Sequence, residues 1–493
     1  MKAGLCMDDK SNAKTNHKPK EIPRYKQIAE QIEQRIAGGE FPPGSYLPSE
    51  RTLANELHVN RSTIVAAYDE LQAAGVIERK QGSGTMVSED IWGLARTRVP
   101  NWRHLTESGS FRPNLPLIRK IRKETTQENE LIDLASGELS FDLVPTNSLQ
   151  QLLTTGDFPS HLGYEHPLGN GPLRETLRVH MKTWRSIDTT PSSILITSGA
   201  QQALHLVVQC LLKPGDAVAI ESPSYCNSLP LFHSAGLRTF SLPVDEDGID
   251  PEQLIELHRT HRIKMVFVNP NYHNPTGTFL SHERRERLLA ISAENGIPII
   301  EDDPYSLTSF SGEPVRTLKS MDRHGTVLYI SSLTKIVASG LRIGWIVGPQ
   351  TVIERLADAK QQFDFGHSIF PEWLAERFLA SPDFAHHIEQ LRSQLAFRCD
   401  QLAFHLLDTF GDLIEMRPPE GGIHLWCRLL GDFSEQRLLS EAVKRGLVFV
   451  PGHLFGSSPG FVRFTFGRAR LEQIPEAVVR FADALTASGW VKK

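Results

Sequence analysis

"SSLTKIVASGLRIGW" occupies residues 331–345 and sets Lys335 seven positions before Arg342. Small hydroxyl residues precede the lysine, glycines flank the arginine, and the apolar run "TVLYI" leads into the stretch. A short continuous apolar run closed by polar residues predicts a strand buried on both faces. Lys335 then stands just past the carboxyl end of that strand, where ligands bind in open α/β sheets. A lone lysine in such a place is most often a solvated strand end. Its surroundings must decide.

Those surroundings repeat the pattern. "SILITSG", "AVAIESP", "KMVFVNP", "IPIIEDD" and "IGWIVGP" are further apolar runs, each closed by polar or glycine residues and separated by helical periodicities. From residue 132 onward this alternation predicts an α/β domain with a mainly parallel sheet. Beyond about residue 360 the text predicts long helices and a small α+β cap, with "GGIHLWCRL" and "GFVRFTFGR" as strands.

The residues after these runs meet the separate demands of holding pyridoxal phosphate. Lys335 supplies an amine for a Schiff base, and Asp302 a carboxylate to keep the pyridine nitrogen protonated. Tyr305 and Asn274, the latter in "NPNYHNPTG", can donate to the ring oxygen, and Tyr225 in "ESPSY" can stack on the ring. A phosphate needs a helix N-terminus, hydroxyls and a permanent cation. "TSGAQQAL" offers the amides of Gly199, Ala200 and Gln201, while Ser332, Thr334 and Arg342 complete the set. Arg463, in "FVRFTF", can clamp a ligand carboxylate in a bidentate fork. Each residue has a plainer reading as a cap, a turn or a surface charge. Their chain order at successive strand ends is what makes them a set.

The front of the chain has a different grammar. Ile28, Ile32 and Ile36, with Tyr25 one turn earlier, predict a helix ended by Gly38-Gly39. Ser49 can cap a second helix with Leu53, Ala54 and Leu57 inward, after an extended connector "FPPGSYLP". Asn60 can cap a third in which Ile64, Ala67, Tyr68 and Leu71 face inward. "GVIERKQGSGTMVSED" then predicts two short strands around a glycine turn. Three helices and such a wing make a winged helix-turn-helix. Its recognition helix would offer Arg61, Ser62 and Thr63 to the major groove, with Arg51 on the preceding helix and Gln81 and Gly82 at the wing tip.

Residues 91–131, rich in Pro, Arg, Ser and Asn and holding the basic knot "RKIRK", read as a linker. The first twenty residues are polar, without the apolar core of a secretory signal, and read as a disordered arm. No apolar run reaches the roughly 18 residues of a membrane span. The five cysteines are scattered and the nineteen histidines show no paired ligand spacing, so no metal is expected. Residues 1–130 carry a net charge of +3 and the remainder −8, a difference too small to argue a partner from.

The stretch "YKQIAEQ…GSGTMV" resembles the GntR-type winged helix through "PPGSYLPSE", the "RST" turn and the G-x-G-T wing, and on that resemblance residues 21–90 form a DNA-binding domain. Residues 132–493 resemble the fold-type I aminotransferases, in the branch of the aminoadipate and kynurenine enzymes. That resemblance implies a Schiff base on Lys335, the cofactor contacts named above, and Tyr164 reaching the phosphate of a neighbouring subunit. Ala200 departs from the enzymes, which often carry serine there. Together the halves resemble MocR-type bacterial regulators. The resemblance implies a cytoplasmic homodimer, with a domain-swapped form among its arrangements, that binds an operator in double-stranded DNA and senses pyridoxal phosphate or a small amine or amino acid. The alternative is a working aminotransferase with an appended DNA module.

Overall fold

The computed structural model describes residues 23–80, 84–88, 109–126, 131–155, 157 and 162–490. They fall into two compact units that divide between Gly109 and Ser110. The expected N-terminal arm, the wing tip at Gln81 and Gly82, and residues 91–108 and 127–130 of the expected linker lie outside the described residues.

In the first unit α1 (Arg24–Ala37), α2 (Glu50–Glu56) and α3 (Arg61–Ala73) precede the hairpin β1 (Ile77–Lys80) and β2 (Gly84–Val87). The apolar stripes close on one another as their periodicity requires. Ile28, Ile32, Leu53, Ile64, Ala67, Tyr68 and Leu71 are each at most 2% exposed. Ser49 accepts from the Thr52 amide and Asn60 from the Ser62 amide, so both expected caps form. The connector does more than span a gap. Leu47 donates its amide to Thr85 and Val87 donates to Ser45, adding an extended edge to the wing.

The second unit is built on an eight-stranded sheet. Its strands are β3 (Ile194–Thr197), β4 (Ala217–Ser222), β5 (Arg238–Asp245), β6 (Gly248–Ile249), β7 (Ile263–Val268), β8 (Ile299–Asp302), β9 (Val327–Ser332) and β10 (Gly344–Val347). Their order is β3-β10-β9-β8-β7-β4-β5-β6. The pairs from β9 through β5 are parallel, whereas β10 runs antiparallel to both neighbours and β6 is a short antiparallel edge. All six expected runs are strands. A four-stranded antiparallel sheet forms the cap, with β11 (Ile414–Met416), β12 (His424–Leu429), β13 (Val450–Pro451) and β14 (Phe461–Thr465).

Part of the expected linker is folded. Pro116–Thr126 forms helix α4 in the second unit, with Ile121 buried and Leu117 and Ile118 packed on the main core. Lys120 Nζ donates to Ser440 Oγ at 3.1 Å. The basic residues that made this stretch read as a loop occupy the helix's other faces.

Candidate functional site

Two arginines stand at the starts of successive helices in the first unit. Arg51 lies in the first turn of α2 and Arg61 opens α3, and both are exposed. Ser62 is exposed beside them and Thr63 half-buried. Asn60 Oδ1 accepts from both the Ser62 amide and the Ser62 hydroxyl at 3.0 Å, which pins the turn. Arg61 Nη2 donates to Glu50 Oε2 at 3.0 Å, and Arg79 Nη2 approaches the other Glu50 oxygen at 3.4 Å. An exposed pair of this kind is worth about 0–1 kcal/mol, so Arg61 can leave Glu50 for another anion at little cost. The sequence reading passed over Glu50 because an acidic residue in a first helical turn is ordinary.

In the second unit a cavity of about 240 Å³ opens at the carboxyl ends of the strands. Lys335, Gly199, Ala200, Gln201, Tyr225, Asn274, Asp302, Tyr305, Ser332, Thr334 and Arg342 all line it. Local geometry explains the convergence. Gly199 adopts φ +75°, and a β-carbon there would stand 2.9 Å from Arg342 Nη2. A β-carbon at Gly344 would meet the Gly199 backbone at 2.6 Å. Two glycines therefore let the arginine turn press against the first turn of helix Gly199–Leu211. Arg342 Nη2 also donates to the Ser198 carbonyl at 3.0 Å.

The polar groups around the cavity are unevenly satisfied. Lys335 Nζ donates to the Gly137 carbonyl, and the Tyr225 hydroxyl donates to Asp302 Oδ2. Asp302 Oδ1 is buried and has no hydrogen-bond partner among the described residues. Arg463 lies behind Asn274, donating through Nη1 to its Oδ1 at 2.9 Å and through Nη2 to the Ala135 carbonyl, while its Nε is buried without a partner among the described residues. Tyr164 takes no part in this cavity. It is 83% exposed beside Phe365.

Burial shifts the charges in opposite directions. It lowers the Lys335 amine from its ordinary 10.5 to about 8, with the Arg463 charge adding to the effect and Glu138 and Asp302 opposing it. It raises the Asp302 carboxyl from 3.8 to about 6, against the bond from Tyr225. Arg463 comes down to about 10 for the same reason.

Several residues here escaped the sequence reading. Asn269 lines the cavity, donates to the Asp302 carbonyl at 2.7 Å and accepts from the Asn274 amide at 2.8 Å. His424 lies behind Tyr305 at 3.0 Å. "KMVFVNP" and "GGIHLWCRL" end in or contain these residues, yet a single polar residue in an apolar run gives no sign of its partners. A larger and more open cleft, about 890 Å³, lies between Asp245–Asp247 and Glu415–Glu420 and contains none of the expected site residues. Among the described residues no group of three or more His, Cys, Asp or Glu is placed to hold a metal ion, and no helix is long and apolar enough to cross a membrane.

Residues 129–481 match the family of aminotransferases class I and II, and residues 24–87 match the bacterial regulatory proteins of the gntR family. The HTH-type transcriptional regulator YdfD of Bacillus subtilis (strain 168) is 39% identical over 468 residues, spanning 94% of this chain and 96% of its own. The chain belongs to the gntR-family regulators that carry an aminotransferase class I and II domain, the MocR-type architecture. Among solved structures, the kynurenine aminotransferase of Pyrococcus horikoshii, in a complex with PMP, aligns at TM-score 0.69 and 28% identity, covering 80% of this regulator and 95% of the enzyme. The α-aminoadipate aminotransferase LysN of Thermus thermophilus, complexed with N-(5'-phosphopyridoxyl)-L-leucine, aligns at TM-score 0.70 and 26% identity, covering 78% and 98%. The regulator's cavity thus sits in a domain of the aminotransferase fold, joined in one chain to a helix-turn-helix unit.

Proposed function

We propose that this regulator binds operator DNA through its first unit and pyridoxal phosphate in the cavity of its second, and that occupancy of the cavity by the cofactor, an amine or an amino acid is the signal. One observation carries the reading. The Lys335 amine, the unpartnered buried Asp302 oxygen, a helix N-terminus and the Arg342 guanidinium converge on one cavity. An orphaned buried carboxylate oxygen is costly unless a donor meets it, and a pyridine N–H is such a donor. The two liganded structural neighbours support the same group.

When bound, pyridoxal phosphate supplies an aldehyde that condenses with amines and a ring that withdraws electrons. Lys335 would bring the amine, and its lowered proton affinity leaves a useful fraction uncharged near neutral pH. Asp302 would hold the proton on the ring nitrogen, while Tyr305 and Asn274 would donate to the ring oxygen. The amides of Gly199, Ala200 and Gln201, with Ser332, Thr334 and Arg342, would hold the phosphate. Tyr225 would face the ring, and Arg463 would meet a ligand carboxylate. In the first unit Arg51, Arg61, Ser62 and Thr63, with Gln81 and Gly82 of the wing, would contact DNA. Tyr164 would serve the partner of a homodimer in the cytoplasm. Its exposure, shared with Leu162, Phe363, Phe365 and Phe370, supports an apolar surface awaiting a second copy.

The eleven expected residues that line the cavity, with Arg463 behind Asn274, favour a second reading as a working transaminase. Gel shifts on the protein's own upstream DNA, with and without pyridoxal phosphate and amino acids, separate the two. Lys335→Ala should bind DNA and lose the ligand response. Steady-state transamination at ordinary enzyme rates, with DNA binding indifferent to ligand, overturns the regulator reading.

A further inference from the structure

Behind the cavity wall lies a chain of three buried side chains. Tyr305, which lines the cavity, is 1% exposed, and its hydroxyl stands 3.0 Å from His424 Nε2. His424 Nδ1 stands 3.1 Å from Thr465 Oγ1. His424 and Thr465 face each other across the antiparallel β12–β14 pair, so the sheet register fixes their approach. His424 is 2% exposed and Thr465 0%. Burial drives the imidazole's proton affinity far below its ordinary value, and the positive charges of Arg463 and Lys335, with His273, push the same way. The ring is therefore neutral and carries one N–H.

A neutral imidazole between two hydroxyls can point its bonds in only two directions. In one, Tyr305 donates to Nε2 and offers the cavity no proton. In the other, Thr465 donates to Nδ1, Nε2–H donates to the Tyr305 oxygen, and the tyrosine proton faces the cavity. The Asn274 side chain also reaches the Tyr305 hydroxyl. An anionic ring oxygen in the cavity accepts from Tyr305 only in the second arrangement.

We propose that His424 is a positioning residue for the cofactor, holding Tyr305 as a hydrogen-bond donor to the ring oxygen through the relay Thr465–His424–Tyr305. This inference rests on the pyridoxal phosphate reading. A donor to the ring oxygen stabilises its anionic form and weakens its hold on the proton of the nitrogen that joins Lys335 to the cofactor. Asp302, Glu138, Arg342 and Arg463 also act on Lys335, so the relay must be isolated by comparison within one background.

The test is a visible-absorbance pH titration of the full-length protein loaded with pyridoxal phosphate. His424→Phe should move the midpoint of the Lys335 chromophore upward by about threefold to tenfold in the protonation equilibrium, or roughly half to one pH unit. His424→Gln, which keeps a donor, should stay near the parent. Tyr305→Phe should move it further in the same direction, and adding His424→Phe to Tyr305→Phe should change nothing more. Thr465→Val gives a second route should His424→Phe fail to fold, with the same upward sign. A midpoint unmoved by both variants, or moved equally in the Tyr305→Phe background, overturns the relay and leaves the cofactor reading intact. A parent protein that gains no chromophore overturns both.

Discussion

The turn at Asn60–Thr63 and the cavity at Lys335, the two regions proposed to meet phosphate, are built on opposite principles. At the turn, an arginine with 67% of its side chain exposed rests on Glu50 at the surface, and the contact groups lie within four consecutive residues. At the cavity, groups from positions as far apart as Gly199 and Arg342 meet at the ends of the strands, and burial alters the proton affinities of Lys335 and Asp302. The first surface works by where its charges stand. The second works by what burial makes of them. The proposed function needs both kinds, because a DNA contact must release readily while a sensing site must change state when filled.

The sharpest way to separate the regions is to remove the Lys335 amine that lines the cavity. Lys335→Ala should abolish the cofactor chromophore entirely, measured by absorbance after loading and dialysis, while operator affinity in the absence of ligand stays at the parent value. A variant that loses DNA binding as well would show that the two regions are not independent parts.

Next in size is a cavity cut into the small unit. Ile64 is fully buried on the inward face of α3, so Ile64→Ala should destabilise that unit by about 2–5 kcal/mol. Calorimetry should show its transition falling while that of the large unit holds. A single merged transition shifting as one would contradict the independence of the two cores.

Smaller, and matched to each other, are Arg61→Ala and Asp302→Asn. The first should weaken operator binding by about 1–3 kcal/mol and flatten its salt dependence. The second removes a charged acceptor at the ring nitrogen and should weaken cofactor binding by about 1.5–3 kcal/mol. Titrations at two salt concentrations should find the first loss strongly salt-dependent and the second nearly unchanged, since buried pairs are little screened.

How much of this could be read beforehand follows the same division. The inward face of α3 was legible in full, because Ile64, Ala67, Tyr68 and Leu71 repeat at helical spacing and each is buried. The six apolar runs became strands, and residues after five of them, among them Gly199, Tyr225, Asn269, Asp302 and Lys335, line the cavity; the antiparallel sixth contributes Arg342 from before its start. Helix α4 was not legible. Three apolar residues among the charges of "PLIRKIRKETT" suffice only because the main core, distant in sequence, packs against them. His424 and Asn269 were hidden for a related reason. Their meaning is a partner across a strand pair, and periodicity says nothing about partners. Tyr164 lies away from its own chain's cavity, so its expected role turns on a second copy.

The smallest effect concerns protons at the cavity. Lys335 in the folded protein releases its proton near pH 8 rather than 10.5, chiefly through burial and next through the charge of Arg463. The uncharged amine is the nucleophile, so the rate of chromophore formation on mixing with pyridoxal phosphate should rise with pH and level off above about 8. The linked stability has a definite sign. Between about pH 8 and 10.5 the folded protein binds fewer protons at this site than the unfolded chain, so the site's penalty on stability eases as pH climbs through that window. Asp302 acts in the opposite sense. Its folded value of about 6 lies above the ordinary 3.8, so its contribution to stability is lost as pH rises from about 4 to 6. Arg463→Gln removes the second cause of the lysine shift and should move the rate profile to higher pH, a change no substitution at Arg51 or Arg61 should reproduce. A stopped-flow series from pH 6 to 10 on the parent and these variants would break the comparison if substitution of Arg51 or Arg61 moved the profile too.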